Sequence, residues 1–138
     1  MSSIDRRLKL LIVEDNPSYQ ELYEEILKAE YDFDITGNRE EAIEYIKNQE
    51  PDIAIIDMRL KADERGNADG LDIAQFIRDL GAQTVLILKS GFPTETPEIS
   101  ARFEKMNVFR VLDKSAENQL EQLINAISDA GITVKQQK

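Results

Sequence analysis

The sequence predicts an α/β fold, a doubly wound parallel sheet built from five βα units, and three observations carry that prediction. Short apolar runs alternate with longer amphipathic segments along the chain. The runs at 9–13 (KLLIV), 53–56 (IAII) and 84–88 (TVLIL) are almost unbroken in apolar character, as strands buried on both faces require. Helix-start chemistry follows the early runs, and proline or glycine punctuates the chain between units.

The elements follow in order. Lys9–Val13 is the first strand, and Asn16-Pro17 reads as a helix N-cap with proline at the first helical position. Tyr19, Leu22, Tyr23, Ile26 and Leu27 repeat at helical spacing. Phe33–Thr36 is the second strand. Asn38 with Glu41 three residues on resembles a capping box, and Ala42, Ile43 and Ile46 share a helix face. Pro51 breaks the chain before the third strand, Ile53–Ile56. A polar segment, Arg59–Asp69, leads to a helix over Gly70–Leu80 with Leu71, Ala74 and Ile77 inward. Thr84–Leu88 is the fourth strand. Gly91, Pro93 and Pro97 mark a loop before a helix carrying Ile99, Phe103 and Met106. Val108–Leu112 is the fifth strand. Leu120, Leu123, Ile124 and Ile127 define the last helix, which Gly131 is expected to end before a short polar tail, ITVKQQK. The expectation is one domain over 1–138 with its core at about 9–130.

Composition narrows the function. Hydrophobic residues make up 41% of the 138, enough for one packed interior. The net charge of −10 disfavours direct binding to nucleic acid or to an anionic membrane, and suits a metal cation or a basic partner. The chain has no cysteine and no histidine, so thiol chemistry is excluded and a zinc site lacks its usual ligands. No apolar stretch is long enough to span a bilayer, and the N-terminus does not read as a secretory signal. A soluble cytoplasmic protein is expected.

The candidate chemistry sits at the strand ends. Strand 1 ends in Glu14-Asp15, strand 3 in Asp57, strand 4 in Lys89-Ser90-Gly91 and strand 5 in Asp113-Lys114. In the order 2-1-3-4-5, strands 1 and 3 are neighbours, and ligands bind beyond the C-terminal ends at the topological switch point. Three carboxylates then converge in one crevice, where mutual repulsion raises at least one pKa and a divalent cation relieves it. Mg²⁺, which takes oxygen ligands, fits such a set. Taken singly, each residue has an ordinary structural role, such as a helix cap, a loop hydroxyl or a surface charge. Their joint placement at four strand ends is specific.

On these residues the chain resembles the receiver domains of response regulators in two-component phosphorelay signalling, from Leu10 to about Ala130. The resemblance rests on IVEDNP, IIDMRL, LKSG and VLDKS. It implies a flavodoxin-like (βα)5 fold in which Asp57 accepts a phosphoryl group from the phosphohistidine of a histidine kinase or histidine phosphotransfer protein. It implies Mg²⁺ held by Asp15, Asp57 and the backbone carbonyl of Arg59, with Glu14 acting through a water. Lys114 and Ser90 would contact phosphoryl oxygens. The product would be a conformational signal to a downstream output protein or domain, from a switch with at most weak self-dephosphorylation rather than an enzyme. A homodimer through the fourth helix, fifth strand and last helix is left open.

Four departures from the family pattern stand out. Extra residues fall within KADERGNADG, where added loop length costs little. Ser115 replaces the proline that usually follows the lysine. Val111 stands at the family's switch-aromatic position; by alternation the nearest aromatic, Phe109, is expected on the same strand face and in the core. Arg59 and Phe92 lie two residues beyond Asp57 and Ser90, where side chains tune phosphoryl lifetime. The alternatives are a degenerate receiver acting only as an interaction module, a phosphohydrolase of the haloacid dehalogenase type, and a flavin binder. Arg59 argues against the phosphohydrolase, since it stands where a second aspartate should. The two acids of EDNPS argue against a flavin phosphate.

Overall fold

The structure is a computed structural model that describes residues 7–58, 69–90, 97–114 and 116–137. The elements alternate as β1 (Lys9–Val13), α1 (Pro17–Leu27), β2 (Asp32–Thr36), α2 (Arg39–Asn48), β3 (Ile53–Asp57), α3 (Asp69–Asp79), β4 (Val85–Ser90), α4 (Pro97–Lys105), β5 (Arg110–Asp113) and α5 (Gln119–Gln137). Five parallel strands pair in the order β2-β1-β3-β4-β5, as the sequence predicts.

Strand alternation divides the core in two. Leu10, Ile12, Ile53, Ile55, Val85 and Ile87 face one side, where Tyr23 and Leu27 of α1 and Leu123, Ala126, Ile127, Ala130 and Val134 of α5 cover them. Leu11, Val13, Ala54, Ile56, Leu86 and Leu88 face the other, against Ala42 and Ile46 of α2, Ile73, Ala74 and Ile77 of α3, and Phe103 of α4. Burial of both faces explains the unbroken apolar runs. The edge strand β2 is different. Asp32 and Asp34 are exposed and ion-paired with Arg7 and Lys9, which keeps the free edge charged.

Capping follows the sequence closely. The Asn16 side chain accepts from the amides of Ser18 and Tyr19, and Asn38 accepts from the Glu41 amide at 2.8 Å. Glu41 reaches back to the amide of Gly37 rather than that of Asn38. After α4, Asn107 takes a left-handed φ of 53°. The guanidinium of Arg78 donates to the carbonyls of Ala82, Met106 and Asn107, tying the end of α3 to the end of α4.

Three expectations are corrected. Gly131 does not end α5, which runs on to Gln137 with Val134 in the core. A helix-interior glycine costs only about 1 kcal/mol relative to alanine, and here it lets α5 close on Leu8: a Cβ at Gly131 would lie 3.0 Å from Leu8 Cδ1. Second, β4 extends through Lys89 and Ser90 instead of stopping at Leu88. Third, β5 begins at Arg110, so alternation does not reach back to Phe109. Phe109 packs on the α1/α5 side, as core, while Val111 packs on the opposite side. The segment 59–68, the loop 91–96, Ser115 and the side chain of Ile99 lie outside the described residues. Among the described residues no helix is long and apolar enough to cross a membrane.

Gly70, near the start of α3, is pressed against the end of β3. A Cβ there would fall 2.2 Å from the Asp57 carbonyl oxygen and 2.5 Å from Met58 Cα, both backbone atoms. Gly70→Ala is therefore expected to destabilise the fold by about 2–4 kcal/mol, in the range of overpacked cores and broken networks. Gly131→Ala meets only the flexible end of Leu8 and should stay within about 1 kcal/mol of wild type. Urea denaturation of both variants checks the contrast.

Candidate phosphorylation site

The C-terminal edges of β1, β3, β4 and β5 bring the candidate residues together. In register, Asp57 pairs with Lys89 and Ser90 with Asp113, and the chain leaves β1 at Glu14 beside β3. Glu14 and Asp57 are each 2% exposed or less, whereas Asp15 is exposed. One carboxylate oxygen from each of Glu14, Asp15 and Asp57 lies within 4.8 Å of the others. Such a cluster of hard oxygen donors fits Mg²⁺.

Two lysines compensate the acids. Lys114 Nζ donates to Asp57 Oδ2 at 2.8 Å from the end of β5, whose backbone is fixed by the Lys114 amide donating to the Ser90 carbonyl at 2.8 Å. Lys89 Nζ donates to Glu14 Oε1 at 2.8 Å and to the Tyr23 hydroxyl. It also sits 4.6 Å and 5.2 Å from the ring centres of Tyr23 and Tyr19. The second Glu14 oxygen accepts from the Asn16 amide at 3.2 Å. A cavity of about 160 Å³ beside the site is lined by Tyr19, Tyr23, Lys89, Lys114, Leu120 and Leu123 among others.

The electrostatics follow from these contacts. Burial, then the charges of Glu14 and Asp57, push the Asp15 carboxyl above its ordinary value. Burial alone would lower the Lys89 ammonium, but Tyr23 and Glu14 outweigh it and the shift is upward, so Lys89 is charged at neutral pH. Burial raises the Tyr23 hydroxyl, with Lys89 opposing.

Of the predicted site residues, Glu14, Asp15, Asp57, Ser90 and Lys114 all lie at this edge. Arg59 falls outside the described residues. Lys89 was not singled out from the sequence, although a signal was there. In VLILKS it shares strand parity with the buried Val85 and Ile87, so a lysine at that position points into the protein.

Comparison with known proteins decides the family. The model of the response regulator receiver domain matches residues 10–128, most of the chain. The chain belongs to that family. The receiver fold also matches solved structures over nearly its full length. A CheY-like response regulator receiver domain protein from Methanospirillum hungatei JF-1 superposes with a TM-score of 0.78 at 16% identity, covering 96% of this chain and 100% of that one. The signal receiver domain of an HD domain-containing protein from Pseudomonas fluorescens Pf-5 gives 0.76 at 19% identity, covering 95% and 99%. NtrX from Brucella abortus gives 0.73 at 19% identity, with 96% of this receiver matching only 28% of that longer chain. The phosphohydrolase and flavin-binding alternatives are not favoured.

The raised Asp15 carboxyl sets a pH expectation. The folded state holds this proton to higher pH than the unfolded state, so stability falls as pH rises from the ordinary value of 3.8 through the folded one, then levels off. Asp15→Asn removes that cost. In metal-free buffer at neutral pH its melting temperature should rise by roughly 1–2 °C, a typical surface-sized effect. A lower melting temperature than wild type would contradict the crowding of these acids.

Proposed function

We propose that Asp57 of this receiver accepts a phosphoryl group from a phosphohistidine on a histidine kinase or histidine phosphotransfer protein, in a Mg²⁺-dependent reaction. The observation that carries this reading is the state of Asp57. Its carboxylate is buried, is paired with Lys114 at 2.8 Å, and is within reach of two further carboxylates. A carboxylate held this way is a competent nucleophile. One of its oxygens forms the new bond to phosphorus as the phosphorus–nitrogen bond of the donor histidine breaks, leaving an aspartyl phosphate.

Phosphoryl transfer demands positioning and charge neutralisation more than covalent help. Lys114 offers a compact cation to one phosphoryl oxygen. Ser90, at the end of β4, offers a hydroxyl to another. Asp15 and Asp57 would hold Mg²⁺, together with the carbonyl of Arg59, and the bound ion would neutralise negative charge on the phosphoryl oxygens. Glu14 is the acid expected to act through a coordinated water. The aspartyl phosphate is a signal rather than a turnover intermediate, with at most weak self-dephosphorylation. Its reader is a downstream output protein or domain, with a homodimer left open. With a net charge of −10, the receiver itself is not the nucleic-acid-binding part. A cytoplasmic setting, away from the membrane, belongs to the same reading.

Incubation with acetyl phosphate and Mg²⁺, followed by intact mass measurement, tests the assignment. Wild type should gain one phosphoryl group and Asp57→Asn none, with its fold retained. Lys114→Ala should slow the gain by about 10²-fold, the usual effect of removing one preorganised charge stabiliser. An unmodified wild type, or a phosphorylated Asp57→Asn, would refute the assignment. An unmodified wild type would favour a receiver that acts only as an interaction module.

A further inference from the structure

Lys89 has no part in the phosphoryl chemistry above, yet its side chain is only 6% exposed and it lies next to the reacting carboxylate in the sheet. Its surroundings form a closed receptor for an ammonium. Glu14 Oε1 and the Tyr23 hydroxyl accept hydrogen bonds from it, and the Tyr19 ring, stacked on Tyr23, lies over it with its centre 5.2 Å away. Glu14 is held in turn, with one oxygen on Lys89 and the other on the Asn16 amide. Its neighbour Asp15 is exposed. The two acids of the pair therefore differ in what they can offer a cation.

We infer that Lys89 is a built-in counter-ion that keeps Glu14 from ligating the metal directly, leaving it only a contact through water, and holds Mg²⁺ affinity below what the three acids would give alone. The inference rests on the Mg²⁺ site proposed above. The charge balance points the same way. With Lys89 and Lys114 both present, the three carboxylates are left with a single net negative charge. Removing Lys89 would restore a buried, uncompensated Glu14 beside Asp15 and Asp57, and a divalent cation is then the natural partner for it.

The experiment is a Mg²⁺ titration of the full chain, read by backbone amide shifts of residues 14–16 and Met58 and by calorimetry. Lys89→Met should bind Mg²⁺ tighter, on the order of tenfold, as expected from removing one nearby unit charge. Lys89→Met combined with Glu14→Gln has the same net charge at the site as wild type, and its affinity should fall back to within about threefold of wild type. Should Lys89→Met fail to fold, Lys89→Gln keeps hydrogen bonding to Glu14 and Tyr23 without the charge, and the same tightening is expected. Unchanged or weaker binding in the folded neutral variants overturns the inference while leaving the metal site standing. Equal tightening in the single and double variants also overturns it, because Glu14 would then not be the route. Wild type that binds no Mg²⁺ near Asp15 and Asp57 overturns both the inference and the site on which it rests.

Discussion

Two carboxylates buried side by side at the end of a sheet repel one another unless cations are set beside them or a proton is taken up. Asp57 and Glu14 are both almost inaccessible to solvent, and each has a lysine nitrogen at 2.8 Å. The rest of the functional edge is arranged around that requirement. Lys89 comes from within β4 and Lys114 from the end of β5, so the two central acids draw their partners from the strands on one side. Tyr19 and Tyr23 of α1 complete the Lys89 receptor. Asp15 is the exception. It does not share either lysine at hydrogen-bonding distance, and its pKa is raised, first by partial burial and then by the charges of Glu14 and Asp57.

Strand alternation gives this arrangement its direction. Glu14, Asp57 and Lys89 continue the parity of Ile12, Ile55 and Ile87, which face α1 and α5. Ser90, one residue beyond Lys89, has the opposite parity and belongs to the side covered by α2, α3 and α4. One dipeptide of β4 thus links both layers of the molecule to the same edge. A displacement of the strand end that brought Ser90 toward a phosphoryl group would also act on the Lys89–Glu14 pair.

Most of this was legible in the sequence, for physical reasons that can be named. Unbroken apolar runs follow from burial on both faces, and they located β1, β3 and β4. Asn16-Pro17 and Asn38 located two helix starts because caps are local chemistry. The acids and Lys114 were legible as a site because each falls at a strand end in a fold that gathers strand ends. What failed was decided by distant parts of the chain. Gly131 looks like a helix stop until Leu8, far away in sequence, is found packed beneath it. Lys89 stands at a strand end, and its partners Glu14 and Tyr23 lie 75 and 66 residues away in sequence. Phe109 and Val111 seemed to share a face until β5 was found to begin between them.

The contact between Gly70 and the end of β3 bears on how this receiver can change over evolution. The Gly70 amide donates to the Met58 carbonyl at 3.3 Å, so the chain leaves the sheet and re-enters α3 at almost the same point. When both ends of a connection are pinned together, doubling its length costs only about 0.6 kcal/mol of closure entropy. Segments of different length or composition can be spliced in between without shifting the strands or the acids. The length of this connection is thereby free to vary next to an unchanged strand edge. For protein engineering, the same junction is a natural place to graft a reporter peptide that sits beside Asp57.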